Sequence, residues 1–141
     1  MFKYRSCGKI NSFLNVLSEM PNGYHKINTH YQLIDIFDDI EFTENDVDKI
    51  ESNAKLDFES NSIKRAINWF NKKFNKDQGF RIKLTKNIPI GAGLGGGSSN
   101  CATTLKFLLK KLLIFRQIHK IIFLQDCMFE EMYLNLHSLI K

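Results

Sequence analysis

Apolar and polar side chains alternate through much of the first 45 residues. Residues 2–17, which include Tyr4, Phe13 and Val16, keep this alternation imperfectly and predict one or two strands. "PNGY" at 21–24 contributes an Asn-Gly pair, the dipeptide that favours a tight hairpin turn. From Ile27 to Phe42 the alternation returns, predicting a further pair of strands with Tyr31, Leu33, Ile40 and Phe42 on a buried face. The acidic run "ENDVDKIES" reads as a solvated hairpin or loop, and it lacks the turn glycine of a calcium-binding loop. At residues 61–75 the period changes. Ile63, Ala66, Ile67, Phe70 and Phe74 make one apolar stripe on a helix, with Asn61 or Ser62 as N-cap and Trp69 beside the stripe as a core residue. "GFRIKLTKNIP" sets Phe80, Ile82 and Leu84 against Arg81, Lys83 and Thr85, a strand that ends at Pro89. A second helical run opens at Ser98, and Leu105, Leu108, Leu109, Leu112 and Phe115 continue at helical spacing.

Composition narrows the class. A chain of 141 residues with 43% apolar and 25% charged side chains suits one globular domain with a core. The net charge of +5 comes from lysines dispersed singly, without the basic block that follows a nucleic-acid backbone, so no nucleic-acid partner is expected. Cys7, Cys101 and Cys127 are odd in number, far apart and free of metal-ligand spacing, which fits a reducing cytoplasm. No signal peptide is expected at "FLNVL". No membrane span is expected either, because residues 105–124 are interrupted by Lys106, Lys110, Lys111, Arg116 and Lys120.

Five of the eight glycines fall in "PIGAGLGGGSSN" at 89–100, between the strand ending at Pro89 and the helix from Ser98. A linker of this composition rarely has a strand on one side and a helix on the other. Small residues opening a helix let backbone amides turn toward an anion, where the helix N-terminus adds partial positive charge. Serine there can cap the helix or offer its hydroxyl to a phosphate-bound metal. Three phosphate-loop patterns fit poorly. Gly91, Gly93 and Gly96 satisfy GxGxxG, but no acidic residue follows about 20 positions on, as a dinucleotide site needs. Gly97 stands where a Walker A loop has its lysine, and a protein-kinase glycine loop joins two strands rather than a strand and a helix.

"PIGAGLGGGSSNCATTL" closely resembles the phosphate loop of the GHMP kinases, and "CGKINSFLNVLSEMPNGYHKINTHYQLIDIFDDIEF" resembles the N-terminus of one branch of that family. The similarity covers roughly residues 4–105. It implies an α+β fold of the ribosomal protein S5 domain 2-like type, with a GHMP-kinase N-terminal ATP-binding domain over 1–105 and a divergent helical tail over 106–141. It also implies ATP and Mg2+ as cofactors, and γ-phosphoryl transfer to the 2-hydroxyl of a cytidine diphosphate-linked methylerythritol. By the resemblance, Lys9 is catalytic and Asn11, Tyr24 and His25 meet the substrate. Pro89, Ile90, Gly91, Ala92, Gly93, Leu94, Gly95, Gly96, Gly97, Ser98, Ser99 and Asn61 meet the nucleotide, with Ser98 also toward the metal.

The likeness stops in "LKFLLKKLLIFRQIHKIIFLQDCMFEEMYLNLHSLIK". From Lys106 to Lys141 there is no glycine or proline, and Asp126, in "LQDCM", does not match the family's Gly-Ala-Asp-Val-Pro-like segment, whose aspartate handles the hydroxyl proton. Two origins stay open: a shifted reading frame near Leu105 in an AT-rich gene, or a genuine helical extension whose apolar face supports self-association. Activity is accordingly expected to be impaired. The alternatives are a catalytically inactive nucleotide-binding remnant and a helix-mediated interaction protein.

Overall fold

The computed structural model describes residues 1–57 and 59–116. Four strands and two helices follow in the order β1 (Phe2–Glu19), β2 (His25–Asn45), β3 (Lys49–Ser52), α1 (Ser62–Phe74), β4 (Gly79–Thr85) and α2 (Gly96–Arg116). The strands form one mixed sheet in the order β1-β2-β4-β3. β1 with β2 and β2 with β4 are antiparallel, while β3 runs parallel to β4 across the α1 connection.

The core is the space between the helices and one face of this sheet. Ile40 and Phe42 from β2 and Phe80, Ile82 and Leu84 from β4 meet Ile63, Ala66, Ile67 and Phe70 from α1. Cys101, Leu105, Phe107 and Leu108 close it from α2, and the Phe107 ring stacks on Phe42 with centroids 4.2 Å apart. Burial raises the Cys101 thiol to about 11, against a smaller opposing effect of Arg65. The other face of the sheet is charged: Lys3 pairs with Glu41 at 2.9 Å, and Arg81 with Glu51 at 2.9 Å. Period-2 alternation on β4 and the stripe on α1 therefore read correctly, and Asn61 caps α1 through its side chain to the Ile63 amide.

Elsewhere the chain departs from its pattern. Residues 27–42, expected as two strands, belong to one 21-residue strand. Tyr31 and Leu33, expected inside, are 52% and 69% exposed. A register shift between Cys7 and Gly8 separates the covered part of β2 from an outer ribbon that the helices do not reach. The turn joining β1 to β2 is centred on Pro21 and Asn22, with the Gly23 amide donating to Met20 O at 2.9 Å and Gly23 following at φ 77°. Part of the acidic run forms β3, because Asp48 accepts from the Phe80 amide at 2.9 Å and from Lys64 at 2.7 Å. Trp69 is half-buried against the core.

Leu105 lies inside α2, which continues unbroken to Arg116. Leu109 and Leu112 pack on the core beside Leu105 and Leu108, so this stretch of the apolar stripe faces inward. The Phe115 side chain, residues 117–141, and with them Asp126, Cys127 and the outer half of the tail lie outside the described residues. No described helix is long and apolar enough to cross a membrane.

Candidate functional site

β4 carries the chain to one end of the sheet at Thr85, and residues 86–95 turn there before α2 begins. A buried carboxylate fixes the start of this turn. Asp38, on β2 and inaccessible to solvent, accepts through Oδ1 from the amides of Asn87 (2.8 Å) and Ile88 (2.9 Å) and through Oδ2 from the Lys86 ammonium. Burial works to raise its pKa, but the Lys86 hydrogen bond, the Ile88 and Asn87 amides and the Lys86 charge together hold it below the ordinary 3.8.

The loop itself depends on glycine at particular points. Gly91, Gly93 and Gly95 adopt φ of 77°, 72° and 72°, left-handed backbone that a side chain disfavours. Gly96 needs glycine for a different reason: a Cβ there would lie 3.0 Å from the Ile88 side chain and from Lys86 Nζ. The first α2 bond runs from the Ser99 amide to Gly95 O at 2.9 Å, so the amides of Gly96, Gly97 and Ser98 have no acceptor within the helix. No acidic residue occupies that first turn.

These amides open onto a cleft of about 450 Å³ lined by Pro89 through Ser98, Leu56, Asp57, Ser60, Asn61, Ser62, Arg65, Leu84, Lys86 and Asn100. Two helices begin on its walls, because Ser62 Oγ donates to Gly97 O at 2.8 Å and ties the start of α1 to that of α2. Partial positive charge from both N-termini, with Arg65 and Lys86 nearby, faces a single carboxylate, Asp57.

Lys9 arrives from β1. Its amide donates to Leu94 O at 2.9 Å, and its ammonium donates to Gly93 O at 2.9 Å and to Asn11 Oδ1. Asn11 is oriented in turn, donating from Nδ2 to Thr29 Oγ1 at 2.7 Å, whose hydroxyl donates to Phe13 O at 2.7 Å. A further tie holds β1 to α2: Ser6 Oγ donates to buried Asn100 Oδ1. The structure thus gathers Asn61 and residues 89–98 around the cleft, while Lys9, with Asn11 beside it, is joined to the loop at Gly93 and Leu94 without lining that cleft. Ser99 contributes its amide to α2 rather than lining the cleft. α2 starts at Gly96, two residues before the expected Ser98, so the serines sit within its first turns and Gly95 takes the capping position.

Tyr24 and His25 are elsewhere, at the tip of the β1–β2 ribbon. His25 pairs with Glu19, ten residues along β1 from Lys9, or about 30 Å at the usual rise per strand residue. Sequence reasoning missed Asp38, Arg65 and Lys86, and gave Ser62 only as an alternative helix cap. For Asp38 a signal existed, since it stands two residues before Ile40 and four before Phe42, on the inward face of a strand.

The described fold and its glycine loop are similar to those of GHMP kinase N-terminal domains. The family model described as "GHMP kinases N terminal domain" matches residues 61–121. Over 115 residues the chain is 42% identical to the 4-diphosphocytidyl-2-C-methyl-D-erythritol kinase of Pseudothermotoga lettingae, covering 78% of this chain and 41% of that protein. It is 43% identical over 106 residues to the protein of the same name from Francisella philomiragia, covering 72% and 38%. A crystal structure of 4-(cytidine 5'-diphospho)-2C-methyl-D-erythritol kinase superimposes with a TM-score of 0.65 at 28% identity, covering 77% of this chain and 40% of that one. The Methanococcus jannaschii mevalonate kinase shares the fold, with a TM-score of 0.60 at 16% identity over 99% and 47%. The chain spans about 40% of the length of the curated relatives it matches.

Proposed function

We propose that the cleft between the glycine loop and α1 binds the phosphates of ATP, and that the chain carries the nucleotide half of a kinase acting on the 2-hydroxyl of 4-diphosphocytidyl-2-C-methyl-D-erythritol. One observation carries this reading: Lys9 and Gly93, 84 residues apart, are joined by a hydrogen bond that puts an ammonium group at the rim of the glycine loop. Two of its protons are held by Asn11 and Gly93, leaving a third donor for an incoming oxygen.

The residues fit the polyphosphate by their donors. The amides of Gly96, Gly97 and Ser98 lie at a helix start that no acidic side chain occupies. In this reading Pro89 to Leu94 wall the cleft, Asn61 borders the nucleotide, and Lys9 stabilises charge on the transferring phosphoryl group while Asn11 keeps its ammonium in place. Mg2+, held with help from the Ser98 hydroxyl, would neutralise phosphate charge when bound. Tyr24 and His25 would meet the cytosine of the same substrate only with the ribbon curled back toward Lys9, because about 30 Å of extended strand exceeds the length of that molecule.

The Gly-Ala-Asp-Val-Pro-like segment is not among the 141 residues. Without a group to accept the hydroxyl proton, turnover by this chain should fall by about two to four orders of magnitude. Calorimetric titration with MgATP tests the binding half of the proposal. Saturable binding that Gly96→Val abolishes supports it, whereas no binding by the folded wild-type chain refutes it. Phosphorylation of the cytidine substrate at an ordinary kinase rate would refute the expected impairment.

A further inference from the structure

We infer that Asp38 is a positioning residue for the nucleotide loop, and that it acts by holding three donors of the Lys86–Asn87–Ile88 segment at the start of that loop. This rests on the reading of the cleft as a phosphate site.

A fully buried carboxylate must be matched by donors, and here every donor comes from one tripeptide 48 to 50 residues away. Oδ1 takes the Asn87 and Ile88 amides, and Oδ2 takes the Lys86 ammonium. The same tripeptide is tied a second time, by the Asn87 side chain to Phe37 O at 2.7 Å. Strand β4 has ended at Thr85, so its ladder no longer dictates the path of the chain. Asn53 fixes the backbone of Lys86, accepting from its amide at 2.7 Å and donating to its carbonyl at 3.1 Å, and the carboxylate of Asp38 sets the path of the next two residues.

What Asp38 holds is next to the proposed phosphate donors. Ile88 and Lys86 are the two side chains that a Cβ on Gly96 would strike, so they form the surface on which the first turn of α2 rests. Lys86 lines the cleft, with only 8% of its side chain exposed. Moving the tripeptide would therefore move the floor beneath the Gly96 and Gly97 amides. Charge also matters. Asp38 binds Lys86 as a carboxylate, and an amide in its place would set an NH2 group against the ammonium, or turn that group toward the backbone amides.

The test is a mutant cycle on the full chain, read by MgATP titration, thermal melting and amide exchange at Asn87 and Ile88. Wild type should bind. Asp38→Asn should melt cooperatively, bind MgATP at least about tenfold more weakly and exchange faster at both amides. The double variant Asp38→Asn with Lys86→Gln should recover slow exchange at Asn87 and Ile88, because a neutral amide pair can replace the ion pair, while its affinity stays lowered by the loss of the Lys86 charge from the cleft. Failure of the wild type to bind removes the phosphate-site reading itself. Binding by wild type with equal affinity in folded Asp38→Asn leaves that reading intact and overturns the role of Asp38. A double variant whose Asn87 and Ile88 amides exchange as fast as in Asp38→Asn also overturns it. Loss of cooperative melting in both variants overturns it too, since Asp38 would then hold up the domain rather than the loop.

Discussion

Gly95 concentrates two demands on one residue. Its φ of 72° places it in left-handed backbone, and a Cβ there would come within 3.2 Å of the Lys9 side chain. Gly95→Ala should therefore cost about 1–2 kcal/mol from backbone conformation alone, measurable by urea unfolding. It should also weaken MgATP binding by displacing Lys9, whereas unchanged stability and affinity would mean that the loop adapts freely. Asp38 makes a pH-dependent contribution whose sign follows from its partners. Its folded pKa lies below the ordinary 3.8, so the native state binds the proton less well than the unfolded chain does. The stabilisation is in place above the unfolded pKa and is lost as pH falls through the folded one. The stability gap between wild type and Asp38→Asn should thus be widest near neutrality and shrink below about pH 4. A gap constant across that range in urea titrations would exclude Asp38 as its source. Loop glycines and Lys9 were legible from the order of small residues and from a motif. Asp38 was legible in principle from its register with Ile40 and Phe42, but its partners sit about 50 residues away, and alternation says nothing about partners.

At the level of elements, α2 does two jobs with one helix. Its first turn offers amides to the cleft, and its middle supplies Phe107, which stacks on Phe42 and meets Tyr4 and Phe80 edge-on. Phe107 lies beyond Leu105, where the sequence motif fades, yet it is 2% exposed at the centre of the core. Phe107→Ala should cost about 3–5 kcal/mol, as expected for an aromatic cavity in a packed interior. Chemical denaturation would measure it, and a cost below 1 kcal/mol, on the order of a surface change, would show that α2 is dispensable past Leu105. The pattern of apolar positions exposed α1, β4 and the start of α2 because each buries a single face at its own period. It misplaced the inner face of β2 because alternation continues past the last residue that a helix covers. β3 was hidden for another reason: its four residues are charged or half-buried, and Asp48, rather than a hydrophobic run, fastens that corner to β4 and α1.

Across the whole molecule, β2 lives in two environments. From Asp39 to Phe42 it is flanked by β1 and β4, with Ile40 and Phe42 covered by the helices, and β4 alone pairs with it on to Asn45. From His25 to Phe37 its only partner among the described strands is β1, and the apolar side chains of that ribbon are open to solvent: Phe13 49%, Leu14 55%, Val16 57%, Leu17 53%, Ile27 44%. A two-stranded ribbon with neither face covered by the described residues is marginally stable in water, whereas amides within the layered core open only with the domain. Hydrogen exchange on the 141-residue chain should therefore divide β2 at its register shift. Amides from Ile27 to Leu33 should exchange at least about a hundredfold faster than those of Ile40 and Phe42, with opening energies several kcal/mol lower. MgATP should slow exchange around Gly95 to Ser99 and at Lys9, through the hydrogen bond to Leu94 O, while leaving the ribbon tip at Tyr24 and His25 unchanged, because about 30 Å of strand separates them. Uniform protection along β2 would mean that the ribbon is covered in solution. Slowed exchange at the tip on adding nucleotide alone would mean that the ribbon curls back so that its tip lies against the cleft.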